Sequence, residues 1–393
     1  MDTDINLLPH SEVTLRLGRI RALMERDGLG AILLSDFADI YYATGRVYAG
    51  YVWVGRTDGD IIYFVKRPSD LSGSGTVHIR KPEDMPASLG MSLPETIGMN
   101  LDTLSANAAA RLARVFDGAE VRDCSALLRE ARSVKTPLEQ ERLRRSGVLH
   151  EGVYRRVPKL YREGMTDLEF EIEIERVLRL EGCLGQFRIA GDTMETYMGS
   201  VVAGENADVP SPYDFAMGGA GLDPSLPTGA DGSLLRPGNT VMVDLCGNFT
   251  GYMTDMSRVF SLGKVSDLAR EAHRCSRDIC RMIAAKGLPG VKAAELYEAA
   301  VDMVRARGLH HYFMGHRQKA GFIGHGVGIE INELPVIAPR SRAIMAEGNV
   351  VALEPKFVIP GTGPVGIENT YIVTSSGWEC ITNAPEEILP LDE

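Results

Sequence analysis

Cysteine is sparse and scattered. The six thiols, at positions 124, 183, 246, 275, 280 and 380, form no Cys-x-x-Cys pair, so nothing in the chain reads as a thiolate zinc framework or a disulfide scaffold. Long apolar runs are missing too: no window of about 18 residues is apolar enough for a membrane helix. Basic charge is in deficit, with 42 Lys and Arg against 53 Asp and Glu and a formal charge of −11. That balance excludes a general nucleic-acid or anionic-membrane binder. The start, Met1-Asp2-Thr3-Asp4, is acidic where a secretory signal is basic and then apolar, so a cytoplasmic location is expected. Internal repeats, heptad runs and biased tails are absent. What remains is an ordinary globular composition, 44% apolar and 24% charged over 393 residues, enough for two or three domains at about 150 residues each.

Residues 1–135 read as an α/β unit. A helix is expected over Arg19–Arg26, a buried strand over Gly30–Leu34, and two strands over Val52–Gly55 and Ile61–Val65 about the turn Thr57-Asp58-Gly59-Asp60. Leu101–Phe116 has the pattern of an amphipathic helix. The boundary is expected near Val134-Lys135-Thr136-Pro137, and a second domain over 136–393. There Thr136, Pro137 and Glu139 form a capping box that opens a helix running to about Arg156, and Thr166 with Glu169 repeats the device. Residues 204–237, rich in Pro and Gly, are expected to be a long ordered loop, either a functional lid or a surface insertion.

The chemistry concentrates after this loop. Val241–Phe260 reads as strand, turn, strand. A two-residue turn at Phe249-Thr250 puts Asp244 directly opposite Asp255, with Cβ atoms about 5 Å apart. Glu354 and Glu368 sit symmetrically about Gly361 in a second apolar hairpin. Facing carboxylates among apolar neighbours repel, so a proton, a basic partner or a metal must offset the cost. Between the hairpins lies His325, flanked by glycines in Gly324-His325-Gly326-Val327-Gly328. Four carboxylates and one neutral imidazole match two divalent cations. Hard oxygen donors with one imidazole favour manganese first, with cobalt, zinc or iron as the other candidates. Two such ions activate a water and polarise a carbonyl, so the residues alone point to a dinuclear metallohydrolase.

The ordered set Asp244, Asp255, His325, Glu354, Glu368 resembles the metal signature of the creatinase, prolidase and aminopeptidase P family. Asp244-x-x-Gly247 with Gly251-Tyr252-x-x-Asp255-x-x-Arg258 is similar to its first motif. Gly324–Gly328 with Glu333-x-Pro335, then Leu353-Glu354-Pro355, then Gly366-Ile367-Glu368-Asn369-Thr370 resemble the rest. Asp39–Gly45 is similar to a stretch of the family's N-terminal domain. The resemblance implies a two-domain α/β (α+β) protein whose second domain is a pita-bread fold, a curved antiparallel sheet with flanking helices. It also implies a homodimer and an Xaa-Pro dipeptidase or aminopeptidase activity. Asp244 would hold one ion and His325 the other, Asp255 and Glu368 would bridge, and Glu354 would be both ligand and catalytic base.

Four positions depart from the family pattern. Ser211 stands where the peptidases carry a histidine near the scissile amide, and no histidine lies between His150 and His273. Asn332 replaces a second histidine that steadies the tetrahedral intermediate; as a catalytic candidate it donates a hydrogen bond but carries no proton. Gly366 stands for the usual Arg, and Lys356 for the Gly after Glu-Pro. Ser211, Tyr213, Tyr252 and Lys356 are therefore the expected substrate-binding residues. Such a shell leaves open a second reading, a metal-dependent hydrolase or lyase of a small non-peptide molecule, and a third, a binding protein on a peptidase scaffold. The partner expected is a dipeptide or small molecule, with neither nucleic acid nor membrane involved.

Overall fold

The computed structural model describes residues 3–90, 93–189, 197–214 and 217–391. The chain divides into two compact units, Met1–Arg132 and Ser133–Glu393. The first follows the order α1 (His10–Asp27), β1 (Ala31–Leu34), α2 (Phe37–Thr44), β2 (Ala49–Gly55), β3 (Ile61–Arg67), β4 (Thr76–His78), α3 (Pro86–Leu89), β5 (Thr96–Met99), α4 (Ala106–Val115), β6 (Glu120–Asp123) and α5 (Ser125–Ser133). Its sheet runs β4-β3-β2-β1-β5-β6, with β1, β2 and β3 antiparallel and the remaining pairs parallel. The expected elements are present; α1, β2 and β3 run longer than their sequence signals, while β1 and α4 are shorter. The α4 helix starts later than expected, at Ala106, because the Ser105 hydroxyl caps it by accepting the N–H of Ala108. Trp53 and Phe116 pack with ring centroids 5.7 Å apart in a core that also holds Phe64 and Met99.

The second unit carries the carboxylates. Its helices are α6 (Pro137–Tyr154), α7 (Asp167–Leu180), α8 (Asp267–Lys286) and α9 (Ala293–Ala306). Both expected capping boxes close: Thr136 with Glu139 opens α6, and Thr166 with Glu169 opens α7. Strands β7 (Gly199–Ala203), β8 (Thr240–Asn248) and β9 (Met253–Ser261) form a sheet with β17 (Leu389–Pro390) at its edge. A second, antiparallel sheet joins β10 (Gly324–Gly326), β11 (Glu333–Ile337), β12 (Val350–Leu353), β15 (Asn369–Thr374) and β16 (Gly377–Cys380) in the order β11-β10-β12-β15-β16. Between β12 and β15 the chain makes a hairpin of β13 (Lys356–Ile359) and β14 (Gly363–Gly366). Apolar residues of α6 and α7 pack on β8 and β9 in one core, and those of α8 and α9 pack on β12, β13 and β14 in another. This is the mixed α/β, pita-bread architecture that the resemblance implied.

The first hairpin corrects the expected register. Asp244 pairs with Ser257, and Asp255 with Cys246, because the connection has four residues, Phe249 to Tyr252, and closes on Asn248–Met253. Helix α6 fixes that length: the Ser146 hydroxyl donates to the carbonyls of Gly247 and Tyr252, and the Thr250 hydroxyl donates to the carbonyl of Arg142. The two aspartates remain on one face, offset diagonally by one pair. Around the second hairpin the symmetry about Gly361 holds on both sides of the glutamates, in Lys356–Gly366 and in Leu353–Asn369.

The 204–237 loop opens with a turn of 3₁₀ helix at Gly204–Asp208, and residues 215 and 216 lie outside the described residues. Its far end is stitched to α7. The buried Asp167 carboxylate accepts the N–H groups of Asp231 and Gly232 at 3.1 and 2.9 Å, and the Asn206 amide donates to the Gly229 carbonyl at 2.9 Å.

Candidate metal centre

The sheet of β8 and β9 meets the sheet of β12 and β15 at a bridge, where Ser257 and Glu368 exchange backbone hydrogen bonds of 3.3 and 3.2 Å. The acidic residues converge at that seam. Asp244 comes from β8 and Asp255 from β9. Glu354 follows β12, and Glu368 precedes β15. His325 lies on β10 directly opposite Ala352 of β12.

Lys356 sits among them. Its Nζ donates to Asp244 Oδ2 at 2.8 Å, Glu354 Oε2 at 2.8 Å and Glu368 Oε2 at 2.9 Å. An ammonium has three donors, and all three are engaged. The residue is 1% exposed. Burial disfavours the charged ammonium, but the Asp244, Glu354 and Glu368 carboxylates outweigh it and push the group well above its ordinary value. Both Asp244 oxygens are engaged, since Oδ1 accepts from the Ser257 hydroxyl at 2.7 Å. The same hydroxyl lies 2.7 Å from Glu368 Oε2.

The remaining oxygens turn to the imidazole. His325 Nε2 lies 3.4 Å from Glu354 Oε1, 3.9 Å from Asp255 Oδ2 and 4.0 Å from Glu368 Oε1. Its Nδ1 donates to the Gly326 carbonyl at 3.1 Å, which aims Nε2 at the carboxylates. Burial favours the uncharged imidazole, yet Glu354 and Asp255 outweigh it and raise its proton affinity. Burial likewise opposes the Glu354 carboxylate, but Lys356 and His325 hold it down at about 2. Burial and the Asp244 charge raise Asp255 to about 7, and burial with Asp255 and Glu354 pushes Glu368 well up.

One divalent cation fits this donor set. Asp255, His325 and Glu368 each offer a ligand atom within 4.8 Å of the others. Glu368 Oε1 is buried without a hydrogen-bond partner, a costly arrangement for a carboxylate oxygen that a cation would relieve. The space beside Asp244 is taken by the Lys356 ammonium, 2.8 Å from Asp244 Oδ2.

The expected substrate residues are spread more widely. Tyr252 is fully buried, with its hydroxyl donating to Glu139 Oε1 at 3.1 Å and the Arg142 guanidinium over its ring. Ser211 is buried in the long loop, and its hydroxyl donates to the Pro227 carbonyl at 3.0 Å. Ser211 and the half-buried Tyr213 line a small pocket with Asp208 and Gln318. Beside this pocket His316 pairs with Asp208 at 2.8 Å. Asn332 is exposed in the turn before β11. His150 and His273 are both buried helix residues, on α6 and α8.

Three residues with no role assigned from sequence hold the site. Ser257 binds Asp244 and Glu368. The Thr370 hydroxyl donates to the Asp255 carbonyl at 2.9 Å and accepts the Asp255 N–H at 2.8 Å. The buried Arg258 donates to the carbonyls of Ser257 and Glu368 and to Asn369 Oδ1. Their signal was alternation: Ser257 and Thr370 each stand two places after a carboxylate, on the same strand face.

A seam of carboxylates around an imidazole, carried on two helix-backed sheets, defines a metal-dependent hydrolase class. Residues 141–375, which contain all five of these positions, match Metallopeptidase family M24, and the chain belongs to that family. Residues 16–134 match the Creatinase/Prolidase N-terminal domain. The chain is 25% identical over 390 residues to the uncharacterized peptidase YqhT of Bacillus subtilis, covering 96% of this chain and 100% of that one. It is 23% identical over 382 residues to the Xaa-Pro dipeptidase of Pyrococcus furiosus, covering 95% and 99%. Its fold matches that of the Xaa-Pro dipeptidase from Bacillus anthracis with a TM-score of 0.80, at 23% identity and with 96% and 99% of the chains covered. No helix among the described residues is long and apolar enough to cross a membrane.

Proposed function

We propose that the protein is a metal-dependent amidohydrolase that cleaves Xaa-Pro dipeptides. The observation that carries this reading is the convergence of Asp255, His325, Glu354 and Glu368 on one point. The substrate class comes from the relatives' names. Manganese is the ion expected first, from hard oxygen donors with one imidazole. Asp255, His325 and Glu368 would hold a divalent cation, which would supply Lewis-acid chemistry for activating water and polarising the scissile carbonyl. Glu354, kept anionic beside Lys356, accepts the proton of the attacking water through Oε1. Lys356 fixes the orientation of Glu354 and Glu368 through its hydrogen bonds. Asn332 donates its amide N–H to the developing oxyanion, where relatives use an imidazole.

The test is proline release from a panel of Xaa-Pro dipeptides after loading with manganese or cobalt. Turnover that falls by about 10²–10⁴ in Glu354→Gln is expected. No proline release by metal-loaded protein overturns the peptidase reading. A second reading, hydrolysis of a small non-peptide amide, is favoured by Ser211, whose hydroxyl is committed to the Pro227 carbonyl within the loop. Turnover of a compact guanidino or ammonium amide, with every dipeptide inert, is the outcome that selects it.

A further inference from the structure

We propose that the Lys356 ammonium takes the place of one of the two metal ions, so that the centre carries a single divalent cation between Asp255, His325, Glu354 and Glu368. The inference rests on the metal-dependent reading above and concerns how many ions that site holds.

The oxygens divide cleanly. Glu354 Oε2 and Glu368 Oε2 face Lys356, at 2.8 and 2.9 Å, while Oε1 of each faces His325, at 3.4 and 4.0 Å. Each glutamate is thus a bridge between two positive positions, and one of those positions is already filled by the chain itself. An ion at Asp244 would need the same three oxygens at about 2.0–2.3 Å, closer than the ammonium now stands, so the two exclude each other. Asp244 has no oxygen left over, with Oδ2 on Lys356 and Oδ1 on Ser257. Glu368 Oε1, on the other side, has no hydrogen-bond partner. The lysine is held inside the fold, 1% exposed on β13 and paired across the ladder with Gly366.

The experiment is metal counting on the full-length protein after saturation with Mn²⁺ and desalting, on wild type and Lys356→Gly, with thermal melting to show that the variant folds. One ion per chain in wild type and two in Lys356→Gly is the expected result. Two ions in wild type overturn the inference and leave the metal-dependent reading standing. One ion in both proteins also overturns it, because the lysine then excludes nothing. No ion in wild type but binding in the variant overturns the single-ion centre together with the metal-dependent reading. No ion in either overturns both. If Lys356→Gly does not fold, the electron paramagnetic resonance spectrum of Mn²⁺-loaded wild type decides. The hyperfine pattern of an isolated ion is expected, and the signal of an exchange-coupled pair overturns the inference.

Discussion

The Lys135–Glu333 ion pair offers a quantitative test of how the turn behind His325 is held. Lys135 Nζ donates to Glu333 Oε2 at 2.7 Å, and the two side chains are 1% and 3% exposed. Glu333 Oε1 accepts the N–H groups of Ile329 and Glu330 at 3.1 and 3.2 Å, so one carboxylate organises the whole turn that carries Asn332. Lys135→Met keeps the volume and removes the cation, leaving a buried carboxylate without it. Breaking one side of a buried pair costs about 3–5 kcal/mol. Because the two backbone donors stay in place, the lower end, about 3 kcal/mol, is expected. In a unit of this size each kcal/mol moves Tm by about 2–4 °C, so the variant should melt about 6–12 °C lower. Calorimetry and urea unfolding of Lys135→Met, Glu333→Gln and the double variant form a mutant cycle. The double variant should be more stable than Lys135→Met, since its remaining partner is uncharged. A loss below 1 kcal/mol in Lys135→Met, or strict additivity in the cycle, refutes the reasoning.

Three further outcomes follow from the same kind of accounting. His273 is buried with Nε2 donating to the Glu386 carbonyl at 2.7 Å and Nδ1 accepting the Gly366 N–H at 3.2 Å, and burial lowers its proton affinity from 6.5 to about 4. The unfolded chain binds that proton first, so the contribution is complete above pH 6.5 and lost as pH falls through 4, about 3 kcal/mol in all. His273→Gln should flatten the acid limb of urea midpoints measured from pH 7 to pH 4, and an unchanged limb contradicts the assignment. Ser211→His restores the family residue in a buried place, so a loss of about 1–3 kcal/mol without gain of proline release is expected; faster release at an unchanged Tm is the contrary result. Glu354→Gln should abolish turnover and lower the melting temperature while leaving one cooperative transition, because it removes one side of a buried pair with Lys356; a variant that stays active shows that the base lies elsewhere.

Local devices were legible in the sequence and long-range ones were not. The capping boxes at Thr136 and Thr166 are complete within four residues, so their chemistry is written in the string itself. The Asp244–Asp255 register was misjudged by one pair because the turn length is set by Ser146 and Arg142, about a hundred residues upstream. The glutamate hairpin was read correctly about Gly361 because its turn depends on its own residues. Lys356 is the clearest case of information that sequence withholds. A lysine after Glu-Pro reads as a solvent-facing or substrate-facing charge, and only the meeting of three strands surrounds it with Asp244, Glu354 and Glu368. Gly366, the other departure beside it, pairs directly with Lys356 across the ladder. The two positions that looked like separate anomalies are one exchange, with the positive residue on β13 and the bare one on β14.

A carboxylate cluster that carries its own cation need not wait for one from outside. Asp244, Glu354 and Glu368 find their counter-charge in Lys356, so the charge balance of the seam between the two sheets is supplied from within the chain. On the reading proposed above, removing the metal is therefore expected to cost activity before it costs the fold.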